Sequence, residues 1–235
     1  MNFTEFFADV GINLDIFGLD KELILLALTH SSYSIDNSLG KLSNNERLEF
    51  YGDSVLKLAC SKFLYEKYQN EREGVLSNYR SLLVSDAFLA KYANEINLKK
   101  YIRVSNRKDL QTQKAQESIS ACAFEALLGA LFIQVGFEIV YDFLVKFFDK
   151  FMPFVKDNLQ KLNAKATLQE YTQAKNKDLP KYNLISQEGE EHNKIFLVEV
   201  EYNTKVIGVG KGLSKKEAEQ AAAYDACSKL GVINE

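Results

Sequence analysis

The stretch Asn44–Leu56, NNERLEFYGDSVL, constrains this chain more than any other. At roughly 100° per helical residue, Glu46, Glu49 and Asp53 stand at i, i+3 and i+7 and fall in one sector about 60° wide. Carboxylates so spaced repel by a few tenths of a kcal/mol per pair in an isolated helix, so this face calls for open water or for cations. Charge pattern alone favours the bland alternative, a solvated acidic face. Two details point the other way. Leu48, Val55 and Leu58 define an opposite apolar side that anchors the helix in a core, and Gly52 sits mid-helix at a cost of up to about 1 kcal/mol of propensity. A glycine kept there implies the close approach of another segment. Phe50, between Glu49 and Tyr51, lies beside the acidic face, where an aromatic ring is costly to leave bare.

The rest of the chain reads as support on either side. Lys21–Thr29 is an apolar helix ending in ALTHSS, and His30 at its end reads as a hydrogen-bonded structural group, not a catalyst. EREGVLSNYRSLLVS breaks at Gly74, with a new helix near Val75 and Glu73 at the joint. Arg103–Glu117 reads as a basic loop holding Arg103, Arg107, Lys108 and Lys114. ESISACAFEALLGALF, residues 117–132, is a further helix on which Cys122 and Glu125 stand at i and i+3, on one face.

Met152–Ala166 is mixed and polar and reads as a connection, after which the signals change. Thr167 and Glu170 form a capping box that opens a helix to about Lys175. Three extended runs follow, Lys181–Gln187, Ile195–Tyr202 and Lys205–Lys211, the middle one alternating Phe196, Val198, Val200 and Tyr202 on one face. A last helix opens at a second box, Ser214 and Glu217, and stops at Gly231. Lys215 and Lys216 occupy its first turn, where the macrodipole already presents about half a positive charge. Cations are misplaced there unless an anion, such as a phosphate, meets them together with the free backbone N–H groups.

Composition sets few further limits. A chain of 235 residues is long enough for one large domain or two ordinary ones, and 46% hydrophobic residues suffice for real cores. Its net charge of −3, with no basic excess in either half, argues against nucleic acid when taken alone, so any such binding depends on local placement. Cys60, Cys122 and Cys227 form no CxxC pair, which fits a reducing compartment and gives no support for zinc. No basic segment precedes an apolar run at the N-terminus, and no apolar run reaches the roughly 20 residues of a membrane span. The expectation is a cytoplasmic protein with no membrane partner.

The string ERLEF-Y-GDSVL, together with ALTHSS, EGVLSNYR and FEALLGALF, closely resembles the signature segments of the ribonuclease III family, enzymes that cut double-stranded RNA. ATLQEYTQ and GKGLSKKEAEQAAAYDA resemble the two ends of the double-stranded-RNA-binding domain. The resemblance implies a multidomain chain: an all-α ribonuclease III endonuclease domain over residues 1–155, then a small α+β domain of order α-β-β-β-α over residues 163–232. It implies a homodimer that hydrolyses double-stranded RNA, leaving 5′-phosphates and short 3′ overhangs, in the processing of ribosomal, messenger and other structured RNA.

By the same resemblance Glu49, Asp53 and Glu125 hold Mg²⁺, with Mn²⁺ as its substitute, since hard oxygen ligands suit hard ions. Glu46 and Glu73 are accessory, and Phe50 enters a socket on the second subunit. Gln169 and His192 meet the RNA minor groove, and Lys215 and Lys216 meet phosphate, so that the duplex is read by shape and 2′-OH contacts. The loop at 103–117 departs from the family's glycine-rich version. A sharper departure lies at Cys122, where the family's D-x-x-E pair carries its aspartate. An uncharged thiol there predicts weakened metal binding and Mn²⁺ outperforming Mg²⁺. Two other readings stay open on its account: a catalytically impaired, ribosome-associated binding protein, and a protein that sequesters double-stranded RNA.

Overall fold

The computed structural model describes residues 2–10, 19–176, 178–189 and 194–233. Among them the order is α1 (Phe3–Val10), α2 (Lys21–Ala27), α3 (Ser31–Asp36), α4 (Glu46–Lys67), α5 (Glu73–Leu83), α6 (Asp86–Glu95), α7 (Gln113–Asn176), β1 (Lys181–Glu188), β2 (Ile195–Tyr202), β3 (Lys205–Gly212) and α8 (Lys215–Lys229). The chain divides into two compact units, Met1–Pro153 and Phe154–Glu235.

The first unit is helical and its core is aromatic. Tyr92 on α6 is fully buried, stacks at tilted angles on Phe124, Phe147 and Phe151, and donates its hydroxyl to the carbonyl of Leu83 at 3.1 Å. Burying a tyrosine is favourable only when its O–H finds such a partner. Truncating one of these rings costs about 3–5 kcal/mol. The start of α4 is pinned from two sides: the amide of Asn45 donates to the carbonyl of Thr29 at 2.8 Å, and the side chain of Asn44 accepts from the amide of Glu46 at 3.1 Å. Arg103 closes the same corner, donating its guanidinium to the carbonyl of Leu25 at 2.9 Å and to the hydroxyl of Thr29. It belongs to the scaffold rather than to an outward basic loop.

The second unit is a three-stranded antiparallel sheet, β1-β2-β3, against which α8 packs. Val198 and Val200 point into a core shared with Ala164, Leu168, Ala218, Ala222 and Ala226, as the alternation of β2 predicts. Gly208 and Gly210 on β3 lie so close to α8 that a methyl group on either would meet the backbone of Ala222 at 2.4 and 2.1 Å. Small residues on both surfaces let sheet and helix approach. α8 opens as expected, with Ser214 accepting from the amide of Glu217, while Glu217 reaches back to the amide of Leu213.

Other expectations are corrected as well. Leu58 does not join the apolar side of α4: it is 59% exposed, because ten residues from Leu48 it has rotated well off that face. α5 begins at Glu73 with Gly74 inside its first turn. Residues 113–117 are already helical. Residues 152–166 are helical as well, and Thr167 caps nothing: it lies inside α7, its hydroxyl donating to the carbonyl of Asn163 at 3.2 Å. The Lys, Gln, Leu and Ala residues of that stretch are good helix formers, and their propensity wins over the capping signal.

α7 also bears on the membrane. Between Gln113 and Lys161 it is long and apolar enough to pass for a span, contrary to the sequence expectation. Its most apolar window is 61% buried inside the fold, and Gly136, at φ 77°, breaks it into two helical segments. The apolar surface is used in the core.

Candidate active site

α4 runs uninterrupted for 22 residues, so Glu46, Glu49 and Asp53 keep the shared face that their spacing dictates. α7 meets this helix backbone to backbone. A Cβ added to Gly52 would lie 1.8 Å from the carbonyl oxygen of Glu125, and one added to Gly129 would lie 2.4 Å from that of Leu48. Two reciprocal glycines thus bring the helices into contact, and the carboxyl group of Glu125 falls beside those of Glu49 and Asp53.

The charges register that proximity. Burial, then Asp53 and Glu49, push the Glu125 carboxyl up to about 8. Burial also raises Glu49, while the Cys122 thiol, facing it as a donor, favours its charged form and Glu46 opposes it. The Cys122 thiol is itself pushed up to about 12, by burial and then by Glu49. It is therefore neutral at physiological pH, a donor and not an anionic ligand. Glu46 is exposed at the edge of the stripe.

Glu73 opens α5 and is carried by neither α4 nor α7. It accepts from the Ser77 hydroxyl at 2.6 Å and lines a cleft of about 660 Å³ with Leu58, Tyr65, Leu76 and Arg80. Phe50 is 77% exposed and lines a second cleft with Leu42, Tyr51 and Ile133.

Two residues join the group that the spacing did not single out. Asp86, in the first turn of α6, acts on Glu49, Cys122 and Glu125 alike. An acid at a helix start is too common for the sequence to mark it. Lys57 binds Asp53 at 2.7 Å, and following the acidic stripe one more turn would have found it. His30 is not part of the group: it caps α3, its Nδ1 accepting from the amide of Ser32 at 3.2 Å.

Hard oxygen donors are the chemistry that suits a hard divalent ion, and burial, then Asp53 and Glu49, disfavour the charged form of Glu125, a penalty that a bound cation would offset. Glu49, Asp53 and Glu125 offer donors of that kind, and the Cys122 thiol does not. Among the described residues no three His, Cys, Asp or Glu side chains already stand at coordinating spacing. The acids flank one another without closing around a point.

In the second unit Lys215 and Lys216 are exposed in the first turn of α8, and Gln169 is exposed on α7. His192 lies outside the described residues.

The chain matches the family model described as Ribonuclease-III-like over residues 20–151 and the double-stranded RNA binding motif over residues 164–230. It is 40% identical over 214 residues to Ribonuclease 3 of Caldanaerobacter subterraneus subsp. tengcongensis, covering 91% of this chain and 93% of that one. It is 42% identical over 223 residues to Ribonuclease 3 of Borreliella burgdorferi, covering 94% and 90%. The nuclease domain of ribonuclease III from Campylobacter jejuni, solved in a study of a region involved in its dimer formation, superposes with a TM-score of 0.55 at 34% identity, covering 65% of this chain and 99% of that one. Relatives matched almost end to end do not favour the binding-only readings that Cys122 left open. A helical unit presenting acids from two helices, followed by a double-stranded-RNA-binding unit, thus carries the family's sequence through both parts, and the chain belongs to the ribonuclease III family of double-stranded-RNA endoribonucleases.

Proposed function

We propose that Glu49, Asp53 and Glu125 form the metal-dependent centre of this endoribonuclease, with Mg²⁺ as the ion and Mn²⁺ as its substitute. One observation carries the reading: the Gly52 contact sets Glu125 of α7 against the acidic stripe of α4, where the three carboxylates repel one another. A bound divalent ion supplies positive charge to the phosphate under attack and to the leaving oxygen. The chain's own residues hold the acids in place, through the helix contact on one side and the Cys122 donor facing Glu49 on the other. Glu46 and Asp86 add charge at the rim.

Lys215 and Lys216 meet phosphate at the start of α8, with Gln169 and His192 as the residues that read the minor groove, so docking and cutting use separate units. Phe50, bare on the surface beside the acidic stripe, fits a seam between two copies, and Glu73 then serves the neighbouring site as an accessory acid. Three free cysteines suit a reducing, cytoplasmic setting.

Long duplex RNA incubated with the protein and Mg²⁺, Mn²⁺ or a chelator tests the reading. Cutting occurs with either ion and not with the chelator. Asp53→Ala or Glu125→Ala abolishes it while duplex binding survives; equal loss of binding would show that these acids serve docking instead.

A further inference from the structure

The stripe on α4 does not end at Asp53. One turn on, at i+8 from Glu49, stands Lys57, whose Nζ lies 2.7 Å from Oδ2 of Asp53. The same ammonium group acts on Glu125, opposing there the combined effect of Asp53, Glu49 and Asp86. Other i, i+4 pairs on this helix are ordinary: Lys62 binds Glu66 at 2.6 Å, and Glu66 also accepts from Tyr141 at 2.9 Å. Lys57 differs in its company. It pairs with Asp53 on α4 and acts on Glu125 on α7, where Glu49 and, from α6, Asp86 act as well.

We propose that Lys57 is a resident counter-cation of the carboxylate group, holding Asp53 in the absence of metal and competing with a divalent ion for it. The inference rests on the metal-binding reading of Glu49, Asp53 and Glu125 given above. An arriving ion has either to displace the ammonium group from Asp53 or to bind against its charge. Two consequences follow with opposite signs: the lysine steadies the metal-free site, and it weakens metal loading. A unit charge about 4–6 Å from a divalent ion, in water at physiological ionic strength, changes its affinity by about three- to tenfold, and the effect shrinks as added salt screens it further.

Mn²⁺ is titrated into the full-length protein without RNA, the free ion being read by electron paramagnetic resonance, for the parent, Lys57→Met, Lys57→Arg and Lys62→Met. Lys57→Met is expected to bind Mn²⁺ about three- to tenfold more tightly than the parent, with the difference narrowing at high salt. Lys57→Arg, which keeps the charge, stays near the parent, and so does Lys62→Met. Equal affinity in Lys57→Met and the parent overturns the inference and leaves the metal centre standing. Equal tightening in Lys62→Met also overturns it, since net charge alone would then be responsible. Absence of Mn²⁺ binding in every protein overturns both readings. Melting gives a second readout: without metal, Lys57→Met melts below the parent, and saturating Mn²⁺ closes the gap. A gap that metal leaves unchanged makes the lysine merely structural and sinks the proposal.

Discussion

Gly52 lies against the main-chain carbonyl of Glu125 with no room for a methyl group between them. The obstacle is backbone, so no side-chain rotation relieves it, and the next nearest atoms to that methyl, at 2.7 and 2.9 Å, are backbone too. Gly52→Ala therefore forces α4 and α7 apart. Overpacking of this kind costs about 1–3 kcal/mol or more, which outweighs the helix propensity of up to about 1 kcal/mol that alanine would add. Urea unfolding is expected to show a net loss of stability, and cleavage is expected to fall further than stability, because Glu125 moves with its helix. A variant as stable and as active as the parent would contradict the contact.

Cys122 is neutral and faces Glu49 as a donor. Cys122→Asp adds a hard, charged oxygen ligand to the group. It is expected to raise the cleavage rate in Mg²⁺ substantially and to narrow the advantage of Mn²⁺, with duplex affinity measured without metal unchanged. The price is a lower metal-free melting temperature, since a further like charge enters a half-buried group. A parent that already cuts at full speed in Mg²⁺, or an aspartate variant as slow as the parent, counts against this account of the position.

Lys215 and Lys216 are exposed at a helix start where positive charge is unfavourable unless an anion is bound. Replacing both by alanine is expected to weaken binding to every duplex sequence alike and to flatten its dependence on salt, by a slope of roughly one to two. Filter binding of two unrelated duplexes over a range of salt concentrations checks this. A loss confined to one sequence would argue against a phosphate clamp.

His30 supplies a pH effect of defined sign. Its Nδ1 must be unprotonated to accept from the amide of Ser32, and burial holds the imidazole below its usual 6.5. In the window below 6.5 the unfolded chain thus binds more protons than the folded one. Stability is present above that value and is lost as pH falls through the folded pKa. Losing such a cap costs about 1 kcal/mol. His30→Asn keeps an acceptor at the cap without the titration, so its urea midpoint is expected to change less between pH 7 and pH 5.5 than the parent's. Equal changes in the two proteins would remove His30 from the account.

What the sequence determined by itself is what periodicity and capping encode. The shared face of Glu46, Glu49 and Asp53, the inward valines of β2 and the start of α8 at Ser214 depend only on neighbours a few residues away, and a regular backbone keeps such relations wherever it is placed. The family resemblance added Glu125 and the two-part organisation. Gly52 signalled that something approaches α4, and tertiary packing alone named it as the backbone of Glu125. Packing also decided the protonation of Cys122, the arrival of Asp86 from α6 and the exposure of Leu58. It decided, too, that the helix before β1 runs on through Thr167. These turn on burial and on distances between segments remote in the chain, quantities that no local spacing contains.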